Sequence, residues 1–172
     1  RAASASGWNL SVVPAFSTEA HGISAGVAMA SRSFYGMASK DLSYIPEPFR
    51  NRIGCVHCGI MARGGVHFIS AYFWDTERLS QRNLDLMHYV AMVIASLEGP
   101  WVIAADWNME PSDLQNSGWL NLVKGRIISP TNPTCGKMTY DFFVTCDGLG
   151  EAVVGASLVG DAGTHPHLPS RL

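Results

Sequence analysis

Trp101-Val-Ile-Ala-Ala-Asp106-Trp-Asn108-Met-Glu-Pro111 is the run from which the rest of the chain is best read. Trp101 to Ala105 are all apolar and follow a Gly99-Pro100 breaker. A short, continuously apolar run behind a turn signal predicts a central strand buried on both faces. Its end turns polar at Asp106 and Asn108. Positions i and i+2 of an extended chain point to one side, so a carboxylate and a carboxamide leave together from the carboxyl end of a buried strand. Open α/β sheets build their sites at that edge. The plainer reading, that both residues only cap the loop and helix that follow, is equally open here, because Asp and Asn are ordinary turn residues.

Upstream, Ser80 predicts the N-cap of a helix running to about Leu97. Its apolar positions Leu84, Met87, Val90, Ala91, Ile94 and Leu97 recur at three- and four-residue steps and form one core-facing stripe. Further back, Ile53–Met61 and Val66–Phe73 are strand candidates separated by Ala62-Arg-Gly-Gly65, a hairpin signal. Residues 36–52 read as a connecting loop and Gly22–Ala30 as a Gly-punctuated strand. Downstream, Pro111 opens a short helix to about Leu122, Ile127-Ile128 is a brief strand, and Thr139–Thr145 is a strand carrying Asp141 among aromatic and β-branched neighbours. A last strand is expected around Ala152–Val159. No repeat or linker divides residues 1–172, so one domain is expected, built on a mixed α/β sheet.

The chain is 47% apolar and 15% charged, against about 25% charged in an average domain, and carries a net charge of −2. No broad basic field advertises a nucleic-acid partner. No apolar run approaches a membrane span and no leader pattern opens the chain, so no membrane partner and an intracellular setting are expected. Cys55-Val-His-Cys58 has the inner spacing of half a zinc site. No second pair completes it, and a strand over Ile53–Met61 would send the two thiols to opposite faces. Buried reduced thiols are the preferred reading.

Three polar features remain: Asp106 with Asn108, Asp141, and the terminal pair His165/His167. Asp141 could merely accept hydrogen bonds from a neighbouring loop, and the histidines could be a solvated tail. Together they hold the parts for hydrolysis: a carboxylate to hold or deprotonate a water, an amide to orient it, and a His–Asp pair. An Asp accepting from a His favours the imidazolium, which suits a transition state gathering charge on phosphoryl oxygens.

The order of these features resembles the endonuclease/exonuclease/phosphatase superfamily, and within it the endonuclease-like domains of non-LTR retroelements. Ala105-Asp106-Trp107-Asn108 stands where that family has Gly-Asp-Phe-Asn. Tyr140-Asp141-Phe142-Phe143-Val144 is similar to its Ile-Asp-Tyr-Ile strand, and His167-Leu168-Pro169 to the tail of its Ser-Asp-His-x-Pro motif. Ser70-Ala71-Tyr72 resembles the strand ending in its active-site Tyr. The resemblance implies a DNase I-like four-layer α/β fold, a mixed β-sheet sandwich flanked by helices, here missing its first strands. It implies a Mg²⁺- or Mn²⁺-dependent phosphodiester hydrolase acting on nucleic acid, DNA more than RNA. A place in a larger, reverse transcriptase-associated polyprotein and a nuclear location go with it.

By the same carry-over, Asp106 would activate or position the attacking water, Asn108 would fix it and a phosphate oxygen, and Tyr72 would contact the phosphate. His167, oriented by Asp141, would stabilise the phosphorane charge, while the metal would polarise the phosphate. The family pattern is not complete. Pro166 replaces the Asp that precedes the family's His, though an alignment using His165 loses the His-x-Pro spacing. The metal-binding Glu of the family's first strands is expected outside this chain, and Glu19 is not a substitute, which leaves the metal ligands unassigned with Asp106 as a candidate. A catalytically silent remnant or interaction module on the same fold is therefore the alternative reading. An unrelated α/β binding domain would instead scatter Asp106, Asp141 and His167 far apart.

Overall fold

A computed structural model describes residues 6–18, 22–59, 63–160 and 163–172. The chain begins with β1 (Trp8–Val13), β2 (Phe16–Ser17), β3 (Ile23–Ser24) and β4 (Val27–Arg32). Next come β5 (Met37–Ser39), β6 (Ile53–Cys58), β7 (Val66–Tyr72), the helix α1 (Gln81–Ala95) and β8 (Trp101–Asp106). Helices α2 (Pro111–Asn116) and α3 (Trp119–Val123) lead to β9 (Gly125–Ile128) and β10 (Asp141–Cys146). The chain ends with α4 (Asp147–Gly150), β11 (Ser157–Leu158) and β12 (Ser170–Arg171). Among the described residues no helix is long and apolar enough to cross a membrane.

Six strands form the main sheet in the order β5-β6-β7-β8-β10-β9. Only β7 and β8 run parallel, as the α1 crossover between them requires. One face of this sheet presents Ile53, Cys55, Ile69, Ala71, Trp101, Ile103, Ala105, Phe142 and Val144 to the helices, which add Leu86, Met87, Val90, Leu114 and Leu120 to the same core. The antiparallel pair β1–β4 packs on the other face over β6 and β7. Gly54 permits this approach, since a Cβ there would sit 2.7 Å from Met29 Cε. The result is a mixed sheet sandwich with helices on one side, the expected fold class.

Several local expectations need correction. The strand expected over Gly22–Ala30 is split into β3 and β4, because Ala25 (φ 67°) and Gly26 (φ 92°) turn the chain through left-handed conformations. The loop 36–52 contains the edge strand β5 and a single 3₁₀ turn at Arg50–Arg52. On α1 the expected Met87, Val90 and Ile94 are buried, but Leu84 is 40% exposed, and Leu86 and Val93 join the buried face. The helix from Pro111 is interrupted at Gly118 (φ 76°), and the strand at Ala152–Val159 shrinks to β11. β8 is central, as expected, but its mid-strand Ala104 is exposed, whereas β1–β4 packs over β6 and β7. Cys55 belongs to the helix-side core and Cys58 lies on the β4 side, the opposite faces expected of the strand. Burial pushes the Cys55 thiol up to about 11.

Candidate functional site

Sheet register assembles the site. Tyr72 at the end of β7 pairs with Asp106 at the end of β8, and Asp106 pairs with Asp141 at the start of antiparallel β10. Three polar residues from distant parts of the chain thus stand side by side along one edge. They border a crevice of about 400 Å³ together with Gly26, Ala104 and Ser170.

Trp107 anchors this edge. Its side chain is fully buried, stacked between Phe73 (4.9 Å between centroids) and Phe142 (5.2 Å), and its indole N–H donates to the Phe142 carbonyl (3.0 Å). Beyond it the chain leaves the extended conformation at Asn108 (φ 49°), so the i, i+2 relation expected of a continuing strand is lost. Asn108 is instead buried. Its backbone N–H returns to Asp106 Oδ1 (3.2 Å) and its side-chain Nδ2 donates to the Phe73 carbonyl (3.0 Å). That second bond ties the loop after β8 to the loop after β7, leaving the amide oxygen as the group able to orient a ligand. Neither residue caps α2, whose N-cap is Glu110 in a reciprocal box with Asp113.

His167 Nδ1 lies 2.8 Å from Asp141 Oδ2, and the ligating atoms of Asp106, Asp141 and His167 all lie within 4.8 Å of one another. This excludes the scattered arrangement expected of an unrelated binding domain. His165 is exposed, and it is His167 that meets Asp141. Glu19 lies outside the described residues.

The electrostatics follow from this packing. Burial, then the charge of Asp141, pushes Asp106 up to about 6 against the opposing pull of His167; Asp75 adds to the rise. For His167, burial disfavours the cation, but the hydrogen bond and charge of Asp141, with Asp106 and Asp75 beyond, hold its pKa above the ordinary imidazole value. Pairing with Asp141 therefore favours the imidazolium form of His167.

Two supporting residues escaped sequence reasoning. Thr134, fully buried, accepts the backbone N–H groups of Tyr140 (2.9 Å) and Asp141 (3.0 Å) on its hydroxyl. Its carbonyl accepts the Leu168 N–H (2.7 Å), so one residue fixes both halves of the His167–Asp141 pair. Asn83, on α1, bonds both backbone groups of Trp74 and the Arg78 carbonyl, holding the loop that carries Asp75. A polar residue in an apolar helix face was the one available signal for Asn83. Thr134 sits in a Pro-rich loop and gave none.

Hard divalent cations take oxygen ligands, and Mg²⁺ commonly uses one or two carboxylates with waters and substrate phosphate. Asp106 suits that role, because its burial and acidic neighbours leave a negative charge that a cation would relieve. Asp141 is already committed to His167. The donor set fits a water-rich cation held chiefly by Asp106, not an all-protein cage.

The fold is a DNase I-like α/β fold, shared with several solved structures. The endonuclease domain of TRAS1, a telomere-specific non-LTR retrotransposon, superposes with a TM-score of 0.68 at 12% identity, over 94% of this chain and 77% of that one. The 3′-5′ exonuclease NExo from Neisseria meningitidis gives 0.67 at 15% identity, over 98% and 80%. Cytolethal distending toxin from Actinobacillus actinomycetemcomitans gives 0.58 at 18% identity and covers 84% of this chain. The chain spans 61% of the length of that toxin chain. No family model matches the sequence, and no curated protein matches it.

Proposed function

We propose that this chain is a divalent cation-dependent phosphodiester hydrolase domain acting on nucleic acid, DNA in preference to RNA. The observation that carries the reading is the convergence of Asp106, Asp141 and His167 within 4.8 Å at the crevice edge. Asp106 holds and deprotonates the attacking water, and its raised pKa makes it a better base near neutrality than an exposed carboxylate. The Asn108 amide oxygen orients that water. His167, kept protonated by Asp141, donates to a non-bridging oxygen as charge gathers there. Tyr72, at the same edge, borders the phosphate. Mg²⁺ or Mn²⁺, when held by Asp106, supplies Lewis-acid polarisation of the scissile phosphate.

A second reading has its own observation. Among the described residues the group able to hold a cation is Asp106, Asp141 and His167, and two of these three are already paired with each other, which favours a silent domain retaining the fold, unless a further carboxylate comes from a longer polyprotein. Cleavage of supercoiled DNA and of an RNA of matched length, with Mg²⁺, with Mn²⁺ and with chelator, separates the two. Cation-dependent nicking of DNA supports hydrolysis. Cation-independent cleavage, or none, removes it.

A further inference from the structure

Arg52 lies beneath the catalytic edge and is 3% exposed, yet no carboxylate of the described residues forms an ion pair with it. Burying a guanidinium is costly unless its donors are engaged. Nη1 donates to the Tyr72 carbonyl (3.0 Å) and Nη2 to Ser24 Oγ (2.7 Å). The planar group also lies 4.0 Å from the Trp74 ring centroid and 5.1 Å from that of Tyr72. One side chain thus joins the end of β7, the loop beyond it and the β2–β3 arm.

The turn carrying Arg52 holds the same arm from the backbone. The Asn51 carbonyl accepts the Gly26 N–H (2.9 Å), and Asn51 Nδ2 donates to the Pro14 carbonyl (3.0 Å). β3 runs directly into Ala25-Gly26, and Gly26 forms the crevice wall shared with Tyr72 and Asp106. A methionine would fill the space without the cost of a buried charge, so what the guanidinium adds is the pair of bonds to Tyr72 and Ser24. A lysine would lack the planar fork that reaches two acceptors while its faces rest on aromatic rings.

We infer that Arg52 is a positioning residue, setting Tyr72 and the β2–β3 arm at a fixed separation along the crevice edge that holds Asp106. The inference rests on the phosphodiesterase reading for its catalytic consequence, but not for its geometry. Arg52→Lys, in the whole chain, lowers kcat for DNA cleavage about tenfold or more with little change in KM, as expected when reacting groups are misplaced by a fraction of an ångström. In a Tyr72→Ala background the same change adds nothing. Ser24→Ala, which frees only the arm, raises KM and leaves kcat near its starting value.

Ring-labelled tyrosine NMR supplies the readout that does not need turnover. In folded Arg52→Lys the Tyr72 ring signals shift or broaden, while those of Tyr35, Tyr44, Tyr89 and Tyr140 stay. Unmoved Tyr72 signals, or full additivity with Tyr72→Ala, overturn the inference. Moved Tyr72 signals without cleavage by any variant sink the hydrolase reading and leave the positioning role standing.

Discussion

At the residue scale, the His167–Asp141 pair and Asp106 predict how rate depends on pH. Hydrolysis needs Asp106 deprotonated; burial and Asp141 push its pKa up to about 6 in the cation-free protein, so the rising limb of kcat/KM lies below pH 6 once a cation is held there. It needs His167 protonated, so the rate falls above the raised pKa of His167. Asp141→Asn removes the charge that lifts both values. Both limbs then move to lower pH, and the rate at neutral pH drops by about 10²-fold or more, checked by a pH profile of the two proteins. Thr134→Val strips the acceptor from two buried N–H groups and costs about 1–3 kcal/mol in urea unfolding, with a loss of rate from the disordered pair. Asp141 was legible in sequence because a charge in an aromatic strand needs a partner. Its partner was legible only as one of two histidines, since sequence does not say which residue of a tail folds back. Thr134 was invisible because its hydroxyl serves backbone groups, which leave no pattern.

At the element scale, the strands that border the candidate site were the readable ones. β7, β8 and β10 are apolar runs bounded by turn signals, and their ends place Tyr72, Asp106 and Asp141 in register. The helix α1 was equally legible from its cap and its period. Ser80 Oγ accepts the Asn83 N–H at 3.3 Å. Ser80→Ala therefore costs about 1 kcal/mol, read as a lower urea midpoint at unchanged slope. What sequence reasoning lost were breaks set by backbone conformation. Ala25-Gly26 and Gly118 adopt positive φ inside runs whose composition reads as continuous. The two-residue strands β2, β3, β11 and β12 are too short to show a period, although β2 pairs with nearby β3 and β11 with β12.

At the scale of the whole molecule, the buried Asp106 carboxylate is a burden on stability. The folded pKa of Asp106 lies above its unfolded value of 3.8, so the folded state binds more protons between 3.8 and about 6. Stability falls as pH rises through that window, and the penalty is complete above it. Asp106→Asn should therefore raise stability at pH 7, on the order of 1 kcal/mol after allowance for solvent screening, while abolishing cleavage. Mg²⁺ or Mn²⁺ should raise the Tm of the natural protein by mass action and leave Asp106→Asn unmoved. His67 acts in the other direction: burial lowers its pKa, so its contribution is present above pH 6.5 and is lost as pH falls below it.

The most direct test of the whole account is the rate of cation-dependent DNA nicking by the purified chain beside that of Asp106→Ala, at one saturating Mn²⁺ concentration. Nicking by the natural chain and its loss in the variant is the predicted result. Equal nicking by both proteins, or none by the natural chain, contradicts the account.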